Sequence, residues 1–451
     1  MSLEPRHRPS RERAIVIGGS YAGLLAARVL ADHFPEVVIL ERDVLDPASG
    51  RHPGAPQAEH PHLLLARGGQ VLEALFPGLR DELAARGAPV FDFGTGFRVL
   101  YLTGWSPAHP MDLMIQSFTR DMLEAHVRER VLDLPGVSLR DGFAVDELLL
   151  GPDRRRITGV AGPDRSTGHR TALTADFVVE AGGRSSRLPL LLAEAGLPQP
   201  PVREVLAKVD YVSQLYRIPP GTRTDWKLVF ETVYAPHARR GGAVVTVDDA
   251  HWQVCLLSTD GEPVPRTDTE VKEFAASLRS TRLTDAIAHA EPVGDTHHYR
   301  CRGNRWHRYD RVQHLPTRLA VLGDAFCTFN PIYGQGLTAA AVQAEQLALA
   351  LTRTHDLDTT ARVFQRHAAR RLHTPWLLAT SADLGWHPES ASYPHRLAHR
   401  YLVETLHELP DNPALYRRFA RVQHMLTSPL AVLRPRALLR TLLNTRLHGP
   451  R

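Results

Sequence analysis

The sequence predicts an α/β protein: a parallel sheet wrapped by helices, interrupted by a second, largely β region and followed by a helical C-terminal part. Three observations predict it. An apolar run breaks into a glycine turn and a helical segment at residues 14–30, a similar run returns far downstream at 319–322, and a third, at 177–181, also ends in glycines. Short apolar runs that end in such turns mark parallel strands covered on both faces.

Along the chain, Ala14-Ile15-Val16-Ile17 is the first of these strands. Gly18-Gly19-Ser20-Tyr21-Ala22-Gly23 follows at once, then the helical segment Leu24–Leu30, then a second strand, Val37-Val38-Ile39-Leu40, ending in Glu41. Each part of this unit has a task in holding a dinucleotide. Gly18 permits the sharp turn off the strand, position 20 brings the backbone nearest a pyrophosphate, and Gly23 lets the helix pack close to the sheet. The helix start, with Tyr21 and Ala22, offers unpaired N–H groups and a positive dipole end to phosphate oxygens. Glu41 stands 18 residues after Gly23, where a carboxylate accepts hydrogen bonds from a ribose diol. Ser20 replaces the middle glycine of the strict Gly-x-Gly-x-x-Gly; it is small, and its hydroxyl can bond a phosphate oxygen. Alone, the unit does not separate NAD from FAD.

The downstream motif separates them. Leu319–Leu322 runs into Gly323-Asp324, and Phe329-Asn330-Pro331-Ile332-Tyr333-Gly334-Gln335-Gly336-Leu337 leads into an alanine-rich helix from Thr338 to about Leu351. A carboxylate at the end of a buried strand suits the ribityl hydroxyls of a long, linear cofactor. Glycines at a helix start bring N–H groups and a dipole to the pyrimidine edge of an isoalloxazine, where negative charge gathers on reduction. Together the motifs predict FAD, held in a glutathione-reductase-like Rossmann domain.

Gly323-Asp324 with Pro331 resembles the GD motif of the group A flavin monooxygenases, the para-hydroxybenzoate-hydroxylase fold. Phe177-Val178-Val179-Glu180-Ala181-Gly182-Gly183-Arg184-Ser185-Ser186 is similar to the family's strand and turn where the chain returns to the cofactor domain, with Glu180 standing where aspartate is usual. Phe118-Thr119-Arg120-Asp121-Met122-Leu123 resembles the helix start whose arginine faces FAD, which implies that role for Arg120. The resemblance further implies cofactor contacts at Arg42, Val145, Pro331, Gly334, Gln335, Gly336 and Leu337. Gly54–His62, Phe329–Leu337 and Pro375–Ala379 are similar to one subgroup, the polyene epoxidases of polyether biosynthesis and related flavin-fold polyketide cyclases. The resemblance runs from about residue 14 to 385.

It implies an FAD-dependent monooxygenase, an epoxidase or hydroxylase acting on a bulky apolar polyketide- or polyene-type metabolite through a flavin C4a-hydroperoxide. NAD(P)H would bind only transiently, as reductant. The alternative it implies is a cyclase that holds FAD without redox turnover, a [4+2] pericyclase of the decalin-forming type. Two departures bear on the choice: Glu59, in Pro-Gln-x-x-His, and Gln214, in Tyr211–Tyr216, both stand where the subgroup carries arginine. They fit drift of the substrate pocket first, and the loss of redox turnover second. The Trp-x-Trp-x-Ile-Pro signature of flavin halogenases is absent.

The motif order implies a discontinuous FAD-binding domain over 10–85, 115–190 and 300–355. A substrate-binding domain over 86–114 and 191–299 and a helical C-terminal region over 356–451 complete the chain. Tyr211–Tyr216 and Gly242–Val247 read as strands of the substrate sheet, and Tyr211, Gln214 and Tyr216 are the candidate substrate contacts. No catalytic acid or base stands out, and oxygen transfer need not use one.

Composition adds no partner to the small apolar substrate that the resemblance implies. Of 451 residues, 43% are apolar and 23% charged, as in ordinary globular proteins. The net charge of +5 is a mild excess on this length and argues against nucleic acid. Arg417, Arg418, Arg421, Arg434, Arg436 and Arg440, among leucines, read as a solvated face over an apolar stripe. Cys255, Cys301 and Cys327 form no CxxC, which fits a reduced, cytoplasmic setting. Met1–Arg13 reads as a polar leader, and no apolar run approaches the ~18 residues of a membrane span. His60/His62 and His297/His298 lack a supporting cluster, so no metal is expected. The oligomeric state stays open.

Overall fold

The apolar runs stack as their pattern requires. A five-stranded, wholly parallel sheet has the order Leu319–Val321, Phe177–Glu180, Arg13–Ile17, Glu36–Leu40, Val137–Arg140. The computed structural model describes residues 11–46, 51–387 and 392–434. Ala14–Val16 and Phe177–Val179 are fully buried, as strands covered on both faces must be. The helices Tyr21–Ala31, Gly336–Arg353 and Leu357–Asp383 share one core with them. Each large side chain taken from water there, such as Leu24, Leu25 or Leu30, contributes roughly 1.5–3 kcal/mol.

Leu319–Val321 is an edge strand, and its open side is covered by a side chain. The Gln365 amide donates to Val321 O at 2.9 Å and accepts from Val321 N at 2.9 Å, standing in for the ladder that a further strand would supply.

The second sheet has seven strands in the order Cys327–Thr328, Glu291–His307, Val202–Arg217, His251–Thr259, Arg240–Thr246, Leu228–Glu231, Phe97–Leu100. All its pairs are antiparallel except the last. The period of two sorts its faces. Val212, Tyr216, Val244, Trp252, Val254 and Leu256 point to one side, where the helices Asp268–Ala276 and Arg282–Ile287 cover them with Val271, Phe274 and Leu283. Tyr211, Cys255, Leu257, Ala243 and Phe230 point to the other, toward the parallel sheet. The 17-residue strand Glu291–His307 runs across residue 300, and Cys327–Thr328 pairs with Arg305 and Trp306, so this sheet draws on chain from both sides of the expected boundary.

The C-terminal part is pinned to the rest. Helix Pro413–Gln423 buries Leu415, Tyr416, Phe419 and Ala420 against Phe93, Phe97 and Met111 and turns Arg417, Arg418 and Arg421 to solvent. Beyond it, His424 Nδ1 accepts from Ala66 N at 3.1 Å, capping helix Ala66–Leu75. Burial pushes that imidazole down to about 3, so it stays neutral and able to accept. Arg436, Arg440 and the first ten residues of the leader lie outside the described residues. Among the described residues no helix is long and apolar enough to cross a membrane, and no group of three metal-ligating side chains comes together.

Candidate active site

The C-terminal ends of the parallel strands open on one cavity of about 580 Å³, the position where open parallel sheets bind ligands. The first turn is built by close approach. Gly18 has φ +105°, and a Cβ there would lie 2.6 Å from Ala181 O. A Cβ on Gly23 would lie 1.8 Å from Gly18 O. Only glycine fits either place, and the start of helix Tyr21–Ala31 is thereby aimed at the cavity with N–H groups that have no helical acceptor.

Ser20 does something the sequence did not suggest. Its hydroxyl donates to Glu124 Oε1 at 2.6 Å, and the Tyr21 N–H reaches the same oxygen at 3.2 Å. Arg120 Nε donates to it at 2.6 Å, and its guanidinium lies 5.3 Å from the Tyr21 ring centre. Burial alone would raise the Glu124 carboxyl, but Arg120 and the Ser20 hydroxyl hold it below the usual carboxylate range. Arg128 approaches its second oxygen at 4.0 Å. Two guanidinium groups around one carboxylate leave positive charge beside the turn, which suits a pyrophosphate.

Glu41, 5% exposed, is pinned at the end of its strand. Gly19 N donates to it at 2.7 Å, Asp43 N at 2.9 Å, and His52 Nε2 lies 3.0 Å away. Burial would raise Glu41, yet His52 and the two N–H groups bring it below the usual range. Burial likewise opposes charge on His52, and Glu41 overcomes it. His52 Nδ1 is buried with no partner while its residue lines the cavity, an orphan that an adenosine moiety would satisfy. Arg42 and Val145 line the same end.

Glu180, Arg184 and Asp324 also line the cavity. Burial pushes Glu180 up to about 7, against single bonds from Gly182 N and Ser186. Asp324 is also raised by its surroundings, against the pull of Arg120, Arg184 and Arg305. The loop Pro331–Gly336 faces this region and is held from behind. Asp383, at the end of helix Leu357–Asp383, accepts from Asn304 Nδ2 at 2.6 Å, Tyr333 OH at 2.6 Å and Asn330 Nδ2 at 3.1 Å. Tyr211 OH donates to Asn330 Oδ1 at 2.8 Å. Burial lifts the Asp383 carboxyl to about 6, because every one of these partners is neutral.

Of the residues chosen from sequence, Gly18, Ser20, Tyr21, Ala22, Glu41, Arg42, Arg120, Val145, Tyr211, Asp324, Pro331, Gly334, Gly336 and Leu337 line this cavity. Gly23 and Gln335 lie behind it, Gly23 where the helix meets the strand and Gln335 buried ahead of helix Gly336–Arg353. Two expectations are corrected. Gln214 and Tyr216 share the strand with Tyr211 but sit at odd offsets from it, so they face away: Gln214 donates to Gly294 O at 3.2 Å, and Tyr216 packs with Trp226 and Trp252. Glu59 is ion-paired with Arg51 and does not line the cavity. Residues missed from sequence are Glu124, His52, Asn330 and Asp383, each made functional by a partner remote in the chain. The ordinary helical or loop pattern around them carries no signal.

A long ligand with an adenosine at one end, a diphosphate in the middle and a flat ring system at the other fits this donor set, as FAD requires. The comparisons agree. The FAD binding domain family matches residues 11–381. Protein Rv3254 of Mycobacterium tuberculosis is 32% identical over 404 residues, 84% of this chain and 82% of its own length. A kynurenine 3-monooxygenase of Salinispora tropica is 28% identical over 81% of this chain and 77% of its own. The Diels-Alderase PyrE3 of pyrroindomycin biosynthesis superposes with a TM-score of 0.63 at 16% identity, covering 92% of this chain and 81% of that one, a likeness of fold alone. The chain belongs to the FAD binding domain family and has the fold of the group A flavin monooxygenases.

Proposed function

We propose that this FAD-dependent monooxygenase is an epoxidase or hydroxylase of a bulky, largely apolar substrate of polyketide or polyene type, with NAD(P)H as a transient reductant. One observation carries the reading. The polar floor of the cavity is made by the two FAD motifs, and its roof is the apolar face of the second sheet, with Phe97, Leu228, Phe230, Ala243, Val245 and Leu257. FAD, when bound, supplies two-electron redox chemistry and the activation of O2. The chain's own residues bind and orient. Gly18 and the helix start receive the diphosphate, Glu41 accepts from the ribose, and Arg120 and Arg184 bring positive charge toward the centre. The Asn330–Asp383 network fixes the loop Pro331–Gly336, which would hold the flavin ring, and the apolar roof would exclude water from the reacting centre.

The cyclase reading rested on Gln214 and Glu59, and with Gln214 turned away and Glu59 paired to Arg51 neither residue lends it support. One experiment separates the two. FAD-loaded protein is mixed anaerobically with NADPH or NADH, alone and with linear polyene or polyketide ligands, while the flavin band near ~450 nm is followed. Bleaching that O2 reverses, with one oxygen atom gained by a ligand, is expected. Flavin that stays oxidised throughout, with a polyene cyclised at unchanged mass, would overturn the proposal.

A further inference from the structure

Beside the apolar roof lies an uncommitted polar group. His60 is 8% exposed and lines the cavity. Its Nδ1 lies 2.7 Å from the Ser213 hydroxyl, while Nε2 is buried with no partner. Ser213 sits mid-sheet on the cavity side, directly opposite Cys255 in register. The Tyr211 and Tyr299 rings flank the imidazole at 5.9 and 5.6 Å between centres, so the ring is fixed before any ligand arrives. The two flanking hydroxyls are already occupied, that of Tyr211 by Asn330 and that of Tyr299 by Arg184. An unsatisfied buried nitrogen on a cavity wall is costly without a ligand that answers it.

We infer that His60 is the polar anchor of the substrate site, and that its Nε2 binds a hydroxyl group, phenolic or alcoholic, on an otherwise apolar ligand. The chemistry follows from the neutral ring. Burial pushes His60 down to about 4, so at neutral pH one nitrogen donates and the other accepts. The Ser213 hydroxyl can serve Nδ1 in either tautomer, which leaves Nε2 as either donor or acceptor. A hydroxyl does both and matches either state. A ketone matches one tautomer only, and a carboxylate meets no charge on this ring. The tether to Ser213 also means that little ordering cost accompanies binding. The inference rests on the roof being the substrate site; it does not depend on turnover of the flavin.

The test uses FAD-loaded full-length protein and three bicyclic probes, 2-naphthol, naphthalene and 2-naphthoate, with Kd read from perturbation of the flavin spectrum. The wild type is expected to bind 2-naphthol about tenfold more tightly than naphthalene, and 2-naphthoate no more tightly than naphthalene. His60→Leu should retain FAD and naphthalene and lose the preference, whereas His60→Gln, which keeps a donor and an acceptor, should retain part of it. Should His60→Leu fail to fold, Ser213→Ala decides: it removes the tether while leaving His60 in place and should shrink the preference several-fold. Equal affinity for naphthol and naphthalene, absence of binding by either, or a preference that survives in His60→Leu and Ser213→Ala overturns the inference. Anaerobic reduction followed in parallel keeps the two readings apart, since a flavin that never bleaches counts against the monooxygenase while leaving the naphthol preference standing.

Discussion

Glu41 and Glu180 end the two strands that flank Arg13–Ile17, both line the cavity, and they are 5% and 3% exposed. Their charge states nevertheless diverge. Glu41 takes two backbone N–H groups and the ring of His52, which outweigh its burial and hold it ionised. Glu180 takes one N–H and a serine hydroxyl, which do not, and burial pushes it up to about 7. Burial opposes the charge at both strand ends, and it is overcome only at Glu41, where the donors are more numerous and one of them is charged. The cavity thus has a fixed negative group at the end of one strand and, at the end of the other, a carboxyl whose protonated form the fold favours.

The largest effect comes from deleting the satisfied member. Glu41→Ala strands the Gly19 and Asp43 N–H groups and leaves a buried imidazole without its counter-ion. Each orphaned donor costs about 1–3 kcal/mol, so a loss of about 3–5 kcal/mol is expected, with FAD affinity lowered by more than about 100-fold. Glu41→Gln, which keeps one acceptor oxygen, should fall between. Thermal unfolding and flavin fluorescence on titration of the apoprotein measure both; an Ala variant that binds FAD like the wild type would break the assignment of Glu41 to the ribose.

The opposite sign is expected at the other strand end. The fold raises Glu180 from 4.5 to about 7, so it favours the protonated form. Its contribution is complete below pH 4.5, declines as pH climbs toward 7, and is lost above that. Glu180→Gln keeps the acceptor for Gly182 N and removes the titration. It should match the wild type at pH 4.5 and exceed it in stability by at most about 3 kcal/mol at pH 8. Tm of the two proteins at pH 4.5, 6 and 8 tests this, and a difference that does not grow with pH would show that Glu180 is ionised at little cost.

The comparison also shows what the sequence makes legible. Gly18, Gly23, Glu41 and Asp324 were readable because their requirements are local: a backbone without room for Cβ, or an acid at the end of an apolar strand. The charge on that acid was not readable, because His52 reaches Glu41 from a loop whose spacing to it follows no periodic rule. Ser20 stands out by its place in the turn, but its bond to Glu124 is not legible, since Glu124 lies 104 residues away. Asp383 was invisible for the same reason, ending a helix with nothing in its pattern to mark it. Tyr211 could not be separated from Gln214 and Tyr216 in advance. Alternation says that neighbours on a strand part company, but only the packing of helices Asp268–Ala276 and Arg282–Ile287 on one side decides which face meets the cavity.

The finest test of the Glu41–Glu180 contrast removes the charge on the donor and keeps its hydrogen bond. His52→Gln leaves Glu41 with three neutral donors, one more than Glu180 has. Glu41, lowered by the fold, contributes stability above its unfolded value of 4.5, and that contribution fades as pH falls through its folded value. His52, raised by the fold, contributes below 6.5 and fades as pH rises through its folded value. The ion pair is therefore worth most between about pH 5 and 6.5, where both partners are charged. The wild type should exceed His52→Gln there by about 1 kcal/mol, with the gap narrowing at pH 4 and again at pH 8.5. A gap that stays level across that range would mean that His52 acts on Glu41 as a neutral donor. The two carboxyls would then differ only in how many hydrogen bonds they receive.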